Sequence, residues 1–257
     1  MTVRSVFFAL SLLWSGTALA TPNLAAFAFQ QKPGNQVPLN AVLRDDGGQH
    51  VRFGNLISGQ PVILALGYFH CPTLCGVVRA NLMDALSRGN VAPKRYSLVV
   101  LSIDPAETPA DALDAEHKDI AQAGLTTPPA SWHYLTGSAD QVRLVEDAVG
   151  FHTRFDPQLR QFLHPTGLVV LTALGRISSY LLGVDYQPGD LDLALTRARD
   201  GGVEKAALPI LLLCFHYDPS TGKYSLAIIK LLELGCGLTV LTVGGLIGIT
   251  LLRERRT

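Results

Sequence analysis

The run PVILALGYF at 61–69 has no charged residue and constrains the fold more than any other stretch of the chain. A surface strand would alternate apolar and polar residues, whereas an unbroken apolar run reads as a strand covered on both faces. A second such run, YSLVVLSID at 96–104, follows after CPTLCGVVRANLMDALSRG, whose apolar residues Val77, Leu82 and Leu86 recur at helical spacing. Residues 108–123 predict a helix with Thr108 as its cap and Pro109 in its first turn. SWHYLTG then predicts a short strand, SADQVRLVEDAVG a helix capped by Ser138 or Asp140, and HPTGLVVLTALGRISSYLLG a hairpin turning at 173–175. PGDLDLALTRARDGG closes as a helix, and NAVLRDDGGQHVRFGNL opens the unit as a hairpin about Asp46, Gly47 and Gly48. Strands alternating with helices imply an α/β sheet with helices on both faces.

The two ends predict a topology. Residues 1–20 join an early Arg4 to an apolar stretch and the small-residue ending Ala18-Leu19-Ala20, the pattern of a cleavable secretory signal. The other reading, residues 5–19 retained as an anchor, needs a span from a run that is short for one. At the far end, GCGLTVLTVGGLIGITLL at 235–252 is apolar and uncharged, and RERRT follows it. At about 1.5 Å per residue that run would cross most of a bilayer core, and Arg253, Arg255 and Arg256 favour a cytoplasmic C-terminus. Everything between would then lie outside, in the periplasm. A buried core helix is the competing reading, and the G-x-x-x-G of Gly244 and Gly248 is weak evidence for helix pairing.

Between 21 and 233 the chain has 17 basic residues against 20 acidic ones. It therefore lacks the basic surface that phosphate binding requires, and a nucleic-acid partner is excluded.

Only four cysteines are present, and Cys71 and Cys75 stand together in GYFHCPTLCG, directly after the first buried strand. The spacing is one residue longer than a Cys-x-x-Cys redox motif. A four-residue offset brings both sulfurs to one side of a first helical turn, and Pro72 fits where its missing N–H is not needed. A helix N-terminus would also favour a Cys71 thiolate. Thiolates select Cu(I), while imidazole suits copper in either oxidation state. A plain structural disulfide is the competing reading, although so short a loop gains little entropy on closure.

Placing the cysteines after the first central strand is a thioredoxin-like arrangement. GYFHCPTLCG, LSIDPAETPAD and FLHPTGLVVL together resemble the three signature blocks of the Sco/SenC family of copper-binding assembly proteins, over roughly residues 35–200. The resemblance implies a thioredoxin-like domain at 35–203; around it the residues themselves predict an extension at 21–34, a hairpin extension at 204–233, a transmembrane helix at 234–252 and a cytoplasmic tail at 253–257. The resemblance also implies that His164, 89 residues after Cys75, stands before a strand, faces the cysteine loop and joins Cys71 and Cys75 as a copper ligand. A histidine that merely caps the hairpin is the alternative.

By the same resemblance the cargo is Cu(I) or Cu(II), and the recipient is the binuclear copper centre of a cytochrome c oxidase subunit. Other copper chaperones or thiol reductases would be further partners. The competing function is a membrane-anchored thiol-disulfide oxidoreductase in which Cys71 attacks a partner disulfide and Cys75 resolves the mixed intermediate. A peroxidase would need an activating arginine that the sequence does not place.

His70, on the extended segment before Cys71, is read as supporting the site rather than as a ligand. Asp104 either shapes the site or serves its own Asp-Pro turn. Cys214 and His216 share a face of the expected hairpin extension, as a second metal contact or as core and packed residues, and Cys236 reads as a small apolar filler. The chain departs from the family pattern with Thr73 where an acidic residue is often found, Gly76 where proline is frequent, and an anchor at the C-terminus rather than the N-terminus.

Overall fold

The computed structural model describes residues 29–206 and 226–254, save 58, 72, 73, 90, 91, 93 and 94; within the last helix, side chains are described at 233–245, 247 and 248. The expected signal segment at 1–20, Cys214, His216 and most of the expected hairpin extension lie outside the described residues.

The opening hairpin pairs β1 (Val42–Arg44) with β2 (His50–Arg52), Leu43 opposite Val51, and runs into a 3-10 turn at Phe53–Leu56. The central strands are β3 (Val62–Gly67) and β4 (Ser97–Ser102), as the two apolar runs predict, and every residue of β4 is buried. Between them lies α1 (Cys75–Arg88); after β4 come α2 (Pro109–Gln122), β5 (Trp132–Leu135) and α3 (Ala139–Val149). A small hairpin of β6 (Arg154–Asp156) and β7 (Gln161–Leu163) precedes β8 (Gly167–Leu171), β9 (Ile177–Leu182) and α4 (Pro188–Arg199). A final helix, α5, runs Leu226–Glu254.

The sheet order is β5-β4-β3-β8-β9, with β3, β4 and β5 parallel and β8 and β9 antiparallel. Strand alternation divides the interior in two. Leu64, Leu66, Val99, Leu101, Val169 and Leu171 face one way, with Leu43, Phe53 and Val142, Val145 and Val149 of α3. Ile63, Ala65, Leu98, Val100, Leu168 and Val170 face the other, where Leu82 and Met83 of α1, Ala112 of α2 and Leu191 and Leu195 of α4 cover them. Each fully buried Leu, Ile or Val contributes about 1.5–3 kcal/mol, so both layers are needed to hold the sheet.

Helix ends follow the local chemistry. Asp111 accepts the Thr108 N–H at 2.7 Å at the start of α2. α3 ends on Gly150, whose φ of 67° is left-handed. A Cβ there would lie 1.9 Å from the Gln30 carbonyl oxygen, while the Gln30 N–H donates to the Gly150 carbonyl at 2.8 Å.

Three expectations need correction. Helix α1 starts at Cys75, not Cys71: the proline at 72 disfavours the α conformation at residue 71, and Leu74 becomes the residue before the helix. On its first turn Val78, not Val77, faces the core, and Val77 is 42% exposed. The last helix begins at Leu226 rather than 234, so the second strand of the expected extension is helical from there; no glycine or proline interrupts residues 226–234. Counted over the described residues, no helix is long and apolar enough to cross a membrane. The described part of α5 leaves Leu234, Leu238, Val240 and Leu241 exposed, and Cys236 is an exposed thiol.

Candidate metal centre

The end of β3, the loop that follows it, the start of α1 and the segment entering β8 meet at one edge of the sheet. Ligand crevices in open α/β sheets form there, beyond the carboxyl ends of the parallel strands. Cys75 and His164 are both buried, and the Cys75 Sγ lies 3.3 Å from His164 Nε2. Gly67 adjoins the site, where an added Cβ would sit in ordinary van der Waals contact with the Cys75 sulfur at 3.5 Å.

The state of the His164 ring follows from its second contact. Nδ1 lies 2.7 Å from the Pro165 carbonyl oxygen. A carbonyl only accepts, so Nδ1 carries the hydrogen, and in the neutral ring Nε2 presents its lone pair to the sulfur. The ring is stacked on Phe151 at 5.5 Å between centroids and meets Tyr68 edge-on at 6.0 Å. These rings fix its plane and keep water from its faces.

Cys71 stands outside the helix but still addresses its end. Its half-buried Sγ accepts the Cys75 N–H at 3.5 Å. Among the described residues no three His, Cys, Asp or Glu side chains are gathered closely enough to hold a metal together. The structure thus brings Cys75 and His164 into contact and leaves Cys71 beside them, its sulfur on the backbone of Cys75.

Tyr68 is buried against this loop, and its acidity is pushed well down. Burial is the main cause, followed by the negative charge of a Cys71 thiolate, a hydrogen bond to it, and the charge of Cys75. Tyr68 therefore stays a neutral hydroxyl. Glu146, also buried, has its carboxyl pKa raised, by burial first, against the lowering influence of Thr153, Arg143 and His164.

Behind the pair is a cavity of about 20 Å³, room for roughly one water molecule, lined among others by Phe69, Cys75, Val78, Arg79 and His164. Arg79 is the arginine the sequence could not place. Its Nε donates to Asp119 at 3.0 Å, Tyr134 donates to the same carboxylate at 3.0 Å, and its guanidinium lies over the Phe69 ring. A guanidinium so engaged gives the peroxidase reading no support.

Asp104 serves its own turn, accepting the Ala106 N–H at 2.9 Å. The acidic residue that reaches the cysteine loop is Glu107, which sequence reading missed. Its carboxylate accepts the N–H groups of Phe69 at 2.8 Å and His70 at 2.7 Å. His70, two-thirds exposed, turns to two acidic side chains: Nδ1 is 3.2 Å from Glu107 and Nε2 is 3.5 Å from Asp111.

Comparison with known proteins follows the same residues. The SCO1/SenC family model matches residues 41–191, which hold all three expected donors. No curated protein matches the chain. Among solved structures, a candidate electron transfer protein of Aquifex aeolicus VF5 is 25% identical, with 66% of this chain and 95% of that one covered at a TM-score of 0.57. ScoI of Bradyrhizobium japonicum, solved with copper bound, is 19% identical over 65% of this chain and 98% of that one at 0.51. BsSco, a member of the Sco family of cytochrome c oxidase assembly proteins in which a disulfide switch is identified, is 17% identical over 65% and 96% at 0.52. With the family model spanning more than half of its length, this chain belongs to the SCO1/SenC family.

Proposed function

We propose that the protein binds copper as cargo through Cys71, Cys75 and His164 and passes it to a partner, the binuclear copper centre of a cytochrome c oxidase subunit. One observation carries the reading: an imidazole 89 residues from Cys75 in sequence offers its bare Nε2 to the thiol at 3.3 Å. Two sulfurs and one nitrogen suit a soft ion that changes oxidation state, and a set of only three leaves room for a recipient's ligand. Uptake requires the Cys71 sulfur to leave the Cys75 N–H and join the other two. The copper-bound relative and the assembly family of BsSco support the cargo and the recipient.

The apolar run at 235–252 and the arginines after it support a C-terminal membrane anchor, with a cleaved signal at 1–20 and the copper domain on the periplasmic side. Truncation before residue 226 would move the protein from the membrane to the soluble fraction.

A second reading, thiol-disulfide exchange, is favoured by the position of Cys71, whose sulfur takes an N–H at the start of α1, where a thiolate is stabilised. The two separate on His164. Titration of the full-length chain with Cu(I) should give about one tightly bound ion, and His164→Ala should weaken it by roughly a hundredfold while leaving both thiols titratable. Unchanged affinity in that variant, together with rapid turnover on a disulfide substrate, would instead assign the exchange activity.

A further inference from the structure

We propose that Glu107 is a positioning residue that holds the cysteine loop in its ligand-presenting shape, an inference that rests on the copper reading above. The carboxylate is almost fully buried, its side chain 3% exposed. Four donors converge on its two oxygens. Oε2 takes the Phe69 N–H at 2.8 Å and the Ser102 hydroxyl at 2.5 Å; Oε1 takes the His70 N–H at 2.7 Å, with His70 Nδ1 at 3.2 Å.

Two of these donors are consecutive backbone groups immediately before Cys71. Residues leaving the end of a strand have no ladder partner, so their N–H groups must be satisfied by other means or left exposed. Here one side chain from a different loop satisfies both. Because each N–H goes to its own oxygen, the carboxylate plane sets the orientation of the 69–70 backbone and so the direction in which the chain delivers Cys71. Ser102, the last residue of β4, fixes the same carboxylate from the rigid sheet. The cysteine loop is thereby referenced to the sheet through a buried charged hydrogen-bond set, stronger than neutral bonds would be. Groups that orient ligands without touching the metal commonly change affinity by 10–100-fold when removed.

Glutamine at 107 keeps the shape but not the pattern. It offers one acceptor oxygen and an NH₂ donor, so one backbone N–H must face another donor. The full-length chain in detergent should be titrated with Cu(I) against a competing chelator, comparing wild type, Glu107→Gln, Glu107→Asp and Leu191→Ala. The last truncates a fully buried side chain of α4, away from the loop, and reports what loss of stability alone does. Glu107→Gln should weaken copper by about 10–100-fold, Glu107→Asp should recover part of that, and Leu191→Ala should stay within about twofold. A Glu107→Gln affinity within about twofold of wild type, or no worse than that of Leu191→Ala, would overturn the proposal.

If wild type itself takes up no Cu(I), the copper reading fails, and the role of Glu107 is decided by the dithiol–disulfide equilibrium with glutathione. In that exchange Cys71 and Cys75 give two electrons and two protons to glutathione disulfide, forming the protein disulfide and two glutathione thiols. A loop released from its clamp holds its sulfurs together less well, so Glu107→Gln should lower the equilibrium constant for disulfide formation at least about fivefold. An unchanged constant would overturn the inference independently of copper.

Discussion

His164 Nε2 and Cys75 Sγ lie 3.3 Å apart although 89 residues separate them, and the opposite ring nitrogen is fixed by the Pro165 carbonyl at 2.7 Å. The hydrogen bond determines the tautomer, and the tautomer determines what the sulfur meets. In the copper-free protein, long-range proton–nitrogen NMR should show the neutral form of the His164 ring carrying its hydrogen on Nδ1. A ring carrying its hydrogen on Nε2 would mean that the nitrogen facing Cys75 is a donor, unsuited to a metal.

Gly150 ties the support of that ring to the N-terminal segment. It takes a left-handed φ, and an added methyl would collide with the Gln30 carbonyl at 1.9 Å. Gly150→Ala should lower the melting temperature by about 5–10 °C, since both the strained φ and the collision act at once. It should also disturb the His164 ring signals, because the next residue, Phe151, stacks on it. Calorimetry and NMR of the variant would check both.

Arg79 and Asp119 form a buried pair at 3.0 Å that joins α1 to α2. Asp119→Asn leaves the guanidinium buried without its counter-charge and should cost about 3–5 kcal/mol in urea unfolding. A cost below about 1 kcal/mol would mean that the pair behaves like an exposed one.

Glu116 of α2 is buried, and its carboxyl pKa is pushed up from 4.5 to about 7, first by burial and then by the charge and hydrogen bond of Asp46 in the opening hairpin. A carboxyl whose folded pKa exceeds its unfolded value holds its proton more tightly when folded. Its contribution is complete below about pH 4.5 and is lost as pH rises through about 7. Urea midpoints between those values should fall with rising pH in wild type and fall less in Glu116→Gln, which keeps a hydrogen-bonding side chain without the titration. Parallel pH profiles in the two proteins would refute the assignment.

Much of this was legible in the residues, and the reasons differ by element. The runs at 61–69 and 96–104 announced β3 and β4 because strands buried on both faces are dominated by apolar residues and carry no charge along their length. Thr108-Pro109 and Ser138 marked two helix starts because caps are local chemistry. The core face of the first turn of α1 was misread because the helical spacing of Val77, Leu82 and Leu86 is nearly matched by that of Val78 and Leu82, and a single-residue rotation separates them. The hairpin of β6 and β7 was missed because three-residue strands leave almost no pattern. Cys75 and His164 were found through motif resemblance; spacing along the chain says nothing of a contact made across 89 residues. Asp104 drew notice over Glu107 because the Asp-Pro pair is conspicuous, whereas the value of Glu107 lies in two backbone N–H groups that no sequence displays.

The β6–β7 arm stands apart from the main sheet, while β8 is locked to β3 by pairs such as Ala65 with Leu168. The position of His164 is therefore inherited from the strand that follows it and not from the arm that precedes it. A change in the length of that arm should therefore leave the contact between Cys75 and His164 in place, because the anchoring strand is not part of it.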